Sequence, residues 1–368
     1  MNTKIYLIGD AVIDVSLANR ELETKMRFGG IAHAMRGFWS LDVDCCIKFV
    51  APEYLINDFL NFSNHHEFSD VEQIGEVNGS PYVFLIGSVK ETANQLYDFI
   101  LRDKIDIKYT TNTDNLIDDG SEVLFIAGNY DLNKLLAECS NNTKVHVDLS
   151  NNIDKLSDIP LYNFETIFIS TSSSLFLDNF DDSFSDFCKL FDNKCEVLIL
   201  KENRGGSRIH NFKTRESFSI PSITQPVVHS VGVGDVYNSV FVSMYKELDI
   251  KKAAYLSSWI ASEYAVTTYP DNFKNNVKRV LNTKIEDIIS MGGCSLSWEK
   301  RKENSIYIAA PDFDYLDTEI IEYLVDALNY HNFRPRRPIK ENGQLSYNSS
   351  IEKRRKVYAE DLDLIEES

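Results

Sequence analysis

The stretch "HSVGVGDVYNSVF" places Gly232, Val233, Gly234 and Asp235 at the entry to an amphipathic run. Val236, Val240, Phe241 and Met244 recur at helical spacing, so a helix is expected to begin near Asp235. Two chemistries suit that position. An aspartate at a helix start satisfies orphan N–H groups and complements the positive end of the dipole, while glycine eases the entry turn. Alternatively, the backbone N–H groups of Gly232, Val233 and Gly234 form an anion hole. Asp235 would then take a proton from a hydroxyl while the same N–H groups hold the charge developing on a phosphate. Both readings stand on these residues alone, and the elements around the turn must decide.

The chain has 368 residues, 38 Lys+Arg against 56 Asp+Glu, and a formal net charge of −18. That length allows one large α/β domain and a smaller one. A hydrophobic share of 43% suits a packed core. The acidic balance argues against nucleic acid or an anionic membrane as the main partner. No apolar run reaches membrane-spanning length, and Asp10 interrupts the N-terminal stretch too early for a signal peptide, so a cytoplasmic protein is expected. Cys45, Cys46, Cys139, Cys188, Cys195 and Cys294 form no CxxC pair and fit reduced thiols. The histidines show no zinc spacing, and no metal ligands are assigned.

The elements that must position the turn alternate. "KIYLIGDAVIDV" reads as a buried strand running into Gly9-Asp10, and "GGIAHAMRGFWSLDVD" as a glycine turn followed by a helix. "SPYVFLIGS" is a further strand, before the polar "KETANQLYDF". "EVLFIAG", "KVHVDLS", "TIFIST" and "EVLILK" are short apolar runs, each followed by turn or helix material. The pattern predicts an α/β fold, a mostly parallel sheet covered on both faces, with ligands beyond the carboxyl ends of its strands. Asp148 and Asn129 end two of these strands, where each is either a ligand contact or a turn residue. Tyr255, Trp259 and Tyr264 lie on later helical material and read as core, or as an adenine platform. The boundaries read as 1–282 for the first domain, a polar linker over 283–304, and a second domain over 305–368 that opens with the strand "SIYIAAP".

In this order the motifs over 1–282 resemble the ribokinase-like (PfkB) carbohydrate and nucleoside kinase family. "GDAVID" is similar to its opening strand, which implies that Asp14 binds substrate hydroxyls. "GGIAHAMRGFWSLDVD" is similar to its di-glycine motif, with Gly29, Gly30 and His33 as substrate contacts, His33 standing where the family usually has asparagine. "GVGDVYNSVF" resembles its signature, which makes Asp235 the catalytic base and Gly232, Val233 and Gly234 the anion hole. The resemblance implies an ATP- and Mg²⁺-dependent kinase acting on a nucleoside or pentose, homodimeric or larger, pairing through a small sheet over the sugar site. "SPYVFLIG" would supply strands of that sheet, or belong to the main sheet. The chain departs from the family at His229-Ser230-Val231, at Val240, at "ISTSSSLF" where an acidic Asn-x-x-Glu element is usual, and at Lys201-Glu202-Asn203. Lys201, Arg204 and Gly206 are the nucleotide-loop candidates, with the two cations offsetting phosphate charge or simply solvated.

Residues 305–368 are similar to the start of nucleoside 2-deoxyribosyltransferases, through "SIYIAAPDF", "FRPRRPIKENG" and "VYAEDLDLIEES". That resemblance implies a partial Rossmann-like module in which Ala310, Pro311 and Phe313 approach a nucleoside and Asp361 lies near the sugar. The glutamate nucleophile of that family would fall past Ser368. Two further readings therefore accompany the kinase: a kinase fold kept as a nucleoside-binding or assembly module, and a deoxyribosyltransferase or N-glycosidic hydrolase completed by other residues.

Overall fold

The computed structural model describes residues 4–17, 23–79, 82–87, 97–99 (backbone), 105–110, 116–245, 247–267, 269–313 and 316–368. Most of "KETANQLYDF" lies outside them. The chain divides into two compact units, with the passage between Ser295 and Leu296.

The strands of the first unit are β1 (Ile5–Ser16), β2 (Lys25–Gly30), β3 (Cys46–Ala51), β4 (Val71–Asn78), β5 (Val83–Ile86), β6 (Tyr97–Phe99), β7 (Asp106–Tyr109), β8 (Glu122–Ile126), β9 (Lys144–Asp148), β10 (Phe164–Ser170), β11 (Cys195–Lys201), β12 (Ser207–Asn211) and β13 (Glu216–Ile220). The main sheet runs β13-β12-β11-β10-β9-β8-β1-β3-β4-β7. Its centre, β11 through β4, is parallel; the β12–β13 hairpin and β7 are antiparallel additions. Val123 to Ile126 in β8 are buried, and so are Val197 to Leu200 in β11. Such unbroken apolar runs follow from helices covering both faces. The expected α/β class, a mostly parallel sheet flanked by helices, is what the chain adopts.

β1 serves two sheets. Tyr6 to Asp10 pair with β3, and beyond Ala11 the strand leaves the main sheet to pair with β2 antiparallel and β5 parallel. β5 also pairs with β6, so "SPYVFLIG" supplies a strand to the small sheet rather than to the main one. β2, "KMRFGG", is a strand where the sequence reading had only a glycine turn. Its polar residues kept the run from reading as apolar, and it exists because β1 overshoots the main sheet and offers it a free edge.

Two helices bring the motifs together. Ile31–Ser40 follows β2, and Val233–Met244 follows the glycine turn. They touch where Gly37 faces Ser239: a Cβ on Gly37 would lie 1.9 Å from the Ser239 hydroxyl. A residue without a side chain is needed for that approach. Ile250–Ala265 and Pro270–Leu281 complete this layer, burying Ile260, Phe273 and Val277.

Residues 283–295, expected as linker, belong to the first unit. Helix Ile285–Ser290 buries Ile288, and Ser222 and Cys294 exchange backbone hydrogen bonds of 2.8 and 2.9 Å. The apolar residues Ile285, Ile288 and Ile289 make one helical stripe too short to stand out among charges. In the second unit, strands Ser305–Tyr307 and Arg334–Arg336 form a two-stranded parallel sheet, bridged by helix Glu319–Tyr330 and followed by helices Pro338–Asn342 and Ile351–Glu366.

Candidate active site

The overshoot of β1 carries Asp14 into the interior, where it is 4% exposed. Its Oδ2 lies 2.9 Å from Nε2 of His33, the third residue of helix Ile31–Ser40. The other ring nitrogen, Nδ1, is 2.9 Å from the Tyr264 hydroxyl and 3.3 Å from Arg36 Nη1. A guanidinium can only donate, so Nδ1 accepts and the Nε2–H donates to Asp14. Burial pushes the His33 pKa down to about 4 against the pull of Asp14, leaving a neutral imidazole at pH 7. Gly29 sits directly beneath the carboxylate, and a Cβ there would lie 2.0 Å from Asp14 Oδ1. Gly30 is the N-cap of the helix, with φ 59°. The four expected substrate residues are thus brought together, but both nitrogens of His33 are bonded within the protein and its ring faces Asp14.

Gly232 is the N-cap of helix Val233–Met244, in the left-handed region at φ 77°. Asp235 therefore sits half-buried within the first helical turn rather than at the cap. A Cβ on Gly232 would stand 2.1 Å from the His33 ring, so the glycine turn rests against the histidine. This contact joins the turn bearing Asp235 to the pair bearing Asp14.

Lys201 ends β11 on the other flank. Its Nζ would lie 3.1 Å from a Cβ on Gly234, and it bonds Asp148 Oδ2 at 2.6 Å and Asn238 Oδ1 at 3.2 Å. Asp148 also accepts from the Asn238 amide, and from the Ser150 N–H at 2.8 Å. Burial alone would raise the Asp148 pKa; Lys201 and these donors hold it below the usual carboxylate range. Asp148 thus closes a turn and neutralises Lys201 at once. At the end of β10, Ser170 and Ser172 share a hydrogen bond of 2.7 Å, and Ser173 caps the next short helix. Among the described residues no cluster of three or more His, Cys, Asp or Glu is arranged to hold a metal. Arg204 is exposed in the turn Asn203–Gly205, and Gly206, at φ 95°, leads into β12.

Asn129 is engaged: its N–H donates at 2.8 Å to the buried Asp10 carboxylate, which also accepts from Tyr82. Tyr264 is buried as expected of core, yet its hydroxyl reaches His33. Trp259 lines a separate cavity of about 230 Å³ with Glu263, Asn276 and Met291. Two site residues went unrecognised in the sequence. Arg27, opposite Asp14 in the β1–β2 register, directs Nη2 towards the Val231 carbonyl at 3.4 Å. His229 bonds the Thr267 carbonyl at 2.9 Å and meets Tyr264 edge-on at 5.0 Å, with burial lowering its pKa to about 4. The departure at His229 marked that position, whereas no signal marked Arg27 while β2 was unrecognised. In the second unit, Ala310, Pro311 and Phe313 occupy the loop after strand Ser305–Tyr307, around Asp312, which takes two hydrogen bonds of 2.7 and 2.8 Å from Arg337. Asp361, on helix Ile351–Glu366, accepts from Asn342 at 2.8 Å.

No protein-family model matches the chain, and no curated protein matches it. Solved structures do. Phosphofructokinase-2 from Escherichia coli, in complex with substrates and products, aligns with a TM-score of 0.56 at 12% identity, covering 76% of this chain and 99% of its own. A ribokinase from Thermotoga maritima aligns at 0.51 and 13%, covering 76% and 100%. A nucleoside kinase from Methanocaldococcus jannaschii aligns at 0.51 and 14%, covering 76% and 99%. At these identities the likeness is one of fold, and the fold of this protein is ribokinase-like.

Proposed function

We propose that the chain transfers the terminal phosphate of ATP to a hydroxyl of a nucleoside or pentose sugar. The observation that carries this reading is the contact of Gly232 with His33, which sets a carboxylate in a glycine-entered helical turn beside a buried carboxylate suited to hydroxyls. Asp14 accepts hydrogen bonds from the substrate, and Gly29 leaves the space for it to do so. His33 orients Asp14 through a neutral ring that Tyr264 and Arg36 hold in one tautomer. Asp235 takes the proton of the attacking hydroxyl as its oxygen bonds to phosphorus and ADP departs. The N–H groups of Gly232, Val233 and Gly234 hold the charge on the transferring group. The names of the structures it resembles, a ribokinase and a nucleoside kinase among them, agree with that substrate class.

At the donor end, Lys201 stands beside the glycine turn where its ammonium can hydrogen-bond a phosphate, although its charge is paired with Asp148, with Arg204 and Gly206 further along the same loop. Magnesium fits less well. The strand end that would face it carries serines, and Asp148 is already held by Lys201. Magnesium bound largely by water and phosphate needs few protein ligands, and no step is derived through it.

The serine-lined strand end also favours a second reading, a nucleoside-binding or assembly module without phosphoryl transfer. For the second unit, its sequence likeness to deoxyribosyltransferases supports a nucleoside contact through Ala310, Pro311 and Phe313 with Asp361 near the sugar. Transfer of a sugar there requires a nucleophile from elsewhere. The kinase reading is tested by incubating the purified chain with ATP, Mg²⁺ and a panel of nucleosides and pentoses, and identifying phosphorylated product by mass. An acceptor-dependent product supports it. Nucleoside binding with no product across the panel favours the second reading.

A further inference from the structure

We propose that helix Ile351–Glu366 pairs antiparallel with the same helix of a second copy of the chain. This inference is independent of the kinase reading. The helix has two apolar sides. Val357 and Leu364 are buried within the chain. On a second side, about 120° round the helix, Ile351, Tyr358, Leu362 and Ile365 are exposed by 71%, 67%, 42% and 49%. At about 100° per residue these four fall within roughly 60° of arc, one continuous stripe along the helix. Nothing among the described residues covers it.

The charges on the helix identify the occupant. Residues 353–356 are four consecutive cations, and five carboxylates lie between 360 and 367. That order opposes the helix dipole, which favours acids at the start and bases at the end. Internal compensation is partial. Lys356 reaches Glu360 at 3.5 Å, and Arg336 reaches Glu367 at 3.3 Å. Arg355, Asp363 and Glu366 have no ion-pair partner among the described residues. A second copy running antiparallel, with the two-fold axis near Tyr358, lays stripe on stripe and sets each basic half against an acidic half. A parallel copy would oppose like charges. The pattern is thus complementary to itself, as a two-fold interface requires. A single helix pair buries less than the roughly 1,200 Å² of a stable interface, so the association is weak.

Sedimentation of the full chain from about 1 to 100 μM tests this, a range suited to weak association. A concentration-dependent dimer is expected, weakened at least tenfold by Tyr358→Asp and by Ile365→Asp, both on the exposed side. The charge pattern has its own test. Arg354→Glu with Arg355→Glu, and Asp361→Lys with Glu366→Lys, all flanking the stripe, each weaken self-association, and the two double variants mixed recover it as a heterodimer. Such recovery is a gain that misfolding does not imitate. A chain that stays monomeric at the highest concentration, a dimer indifferent to Tyr358→Asp and Ile365→Asp, or a mixture with no heterodimer would each overturn the proposal.

Discussion

On the acceptor side of the glycine turn, Asp14, Gly29, His33, Tyr264 and Gly232 interlock so closely that two positions admit no side chain. On the donor side, past Gly234, one ion pair between Lys201 and Asp148 stands among serines. The first region is fixed by shape and by one histidine tautomer. The second is held by that ion pair and its hydrogen bonds to Asn238 and Ser150, with serines where the resemblance would lead one to expect an acidic element.

Substitutions on the two sides should separate these contributions. The largest effect belongs to the group between them. Asp235→Asn should lower kcat by about 10²- to 10⁴-fold with little change in KM, the range for loss of a general base. On the donor side, Lys201→Met leaves the buried Asp148 without its cation. Loss of about 3 kcal/mol of stability is expected from urea unfolding, because an uncompensated buried charge is costly. On the acceptor side, Gly232→Ala combines a left-handed backbone, costing about 1–2 kcal/mol, with a methyl group inside the His33 ring. It should lower the melting temperature, raise the acceptor KM and also lower kcat, because the Gly232 N–H belongs to the proposed anion hole, with a smaller change in nucleotide affinity. If nucleotide affinity fell equally, the two sides would not be separable.

Acidification acts on the acceptor side and the core. Burial holds His33, His146 and His229 near pKa 4 against an ordinary value of 6.5. Between those values the unfolded chain binds more protons than the native one, so stability is complete above about pH 6.5 and falls towards pH 4. At pH 5 each fully buried histidine should cost about 2 kcal/mol, checked by denaturant unfolding across pH. The smallest effect is expected for Tyr264→Phe, which removes one donor to His33. About 1 kcal/mol of stability should be lost, together with a modest rise in acceptor KM.

The sequence singled out several residues that the fold brings together around His33. Asp14, the di-glycine and the GVGD turn were legible because each requires a particular residue type: a carboxylate, or no side chain at all. Gly37 did the same work unseen, since nothing in a helical run announces the helix that will cross it. β2 and Arg27 were missed because a half-exposed strand in a small sheet carries no apolar run, and its partner is an overshoot of β1 visible only in three dimensions. His33 shows a subtler gap. Its place in the motif suggested substrate contact, whereas the fold bonds both its nitrogens within the protein, to Asp14 on one side and to Tyr264 and Arg36 on the other, and Tyr264 lies 231 residues away. Residues 283–295 read as linker because three isoleucines among charges are too few to mark a helix, yet they pack.

The central claim is that Asp235 drives phosphoryl transfer from ATP to a substrate hydroxyl. The most direct measurement is acceptor-dependent ADP release by the wild-type chain and by Asp235→Asn, side by side, with matched melting temperatures. Release by the wild type that falls at least a hundredfold in the variant is the predicted result. Equal release by both proteins, or none from a folded wild-type chain that binds nucleoside and ATP, would contradict the account.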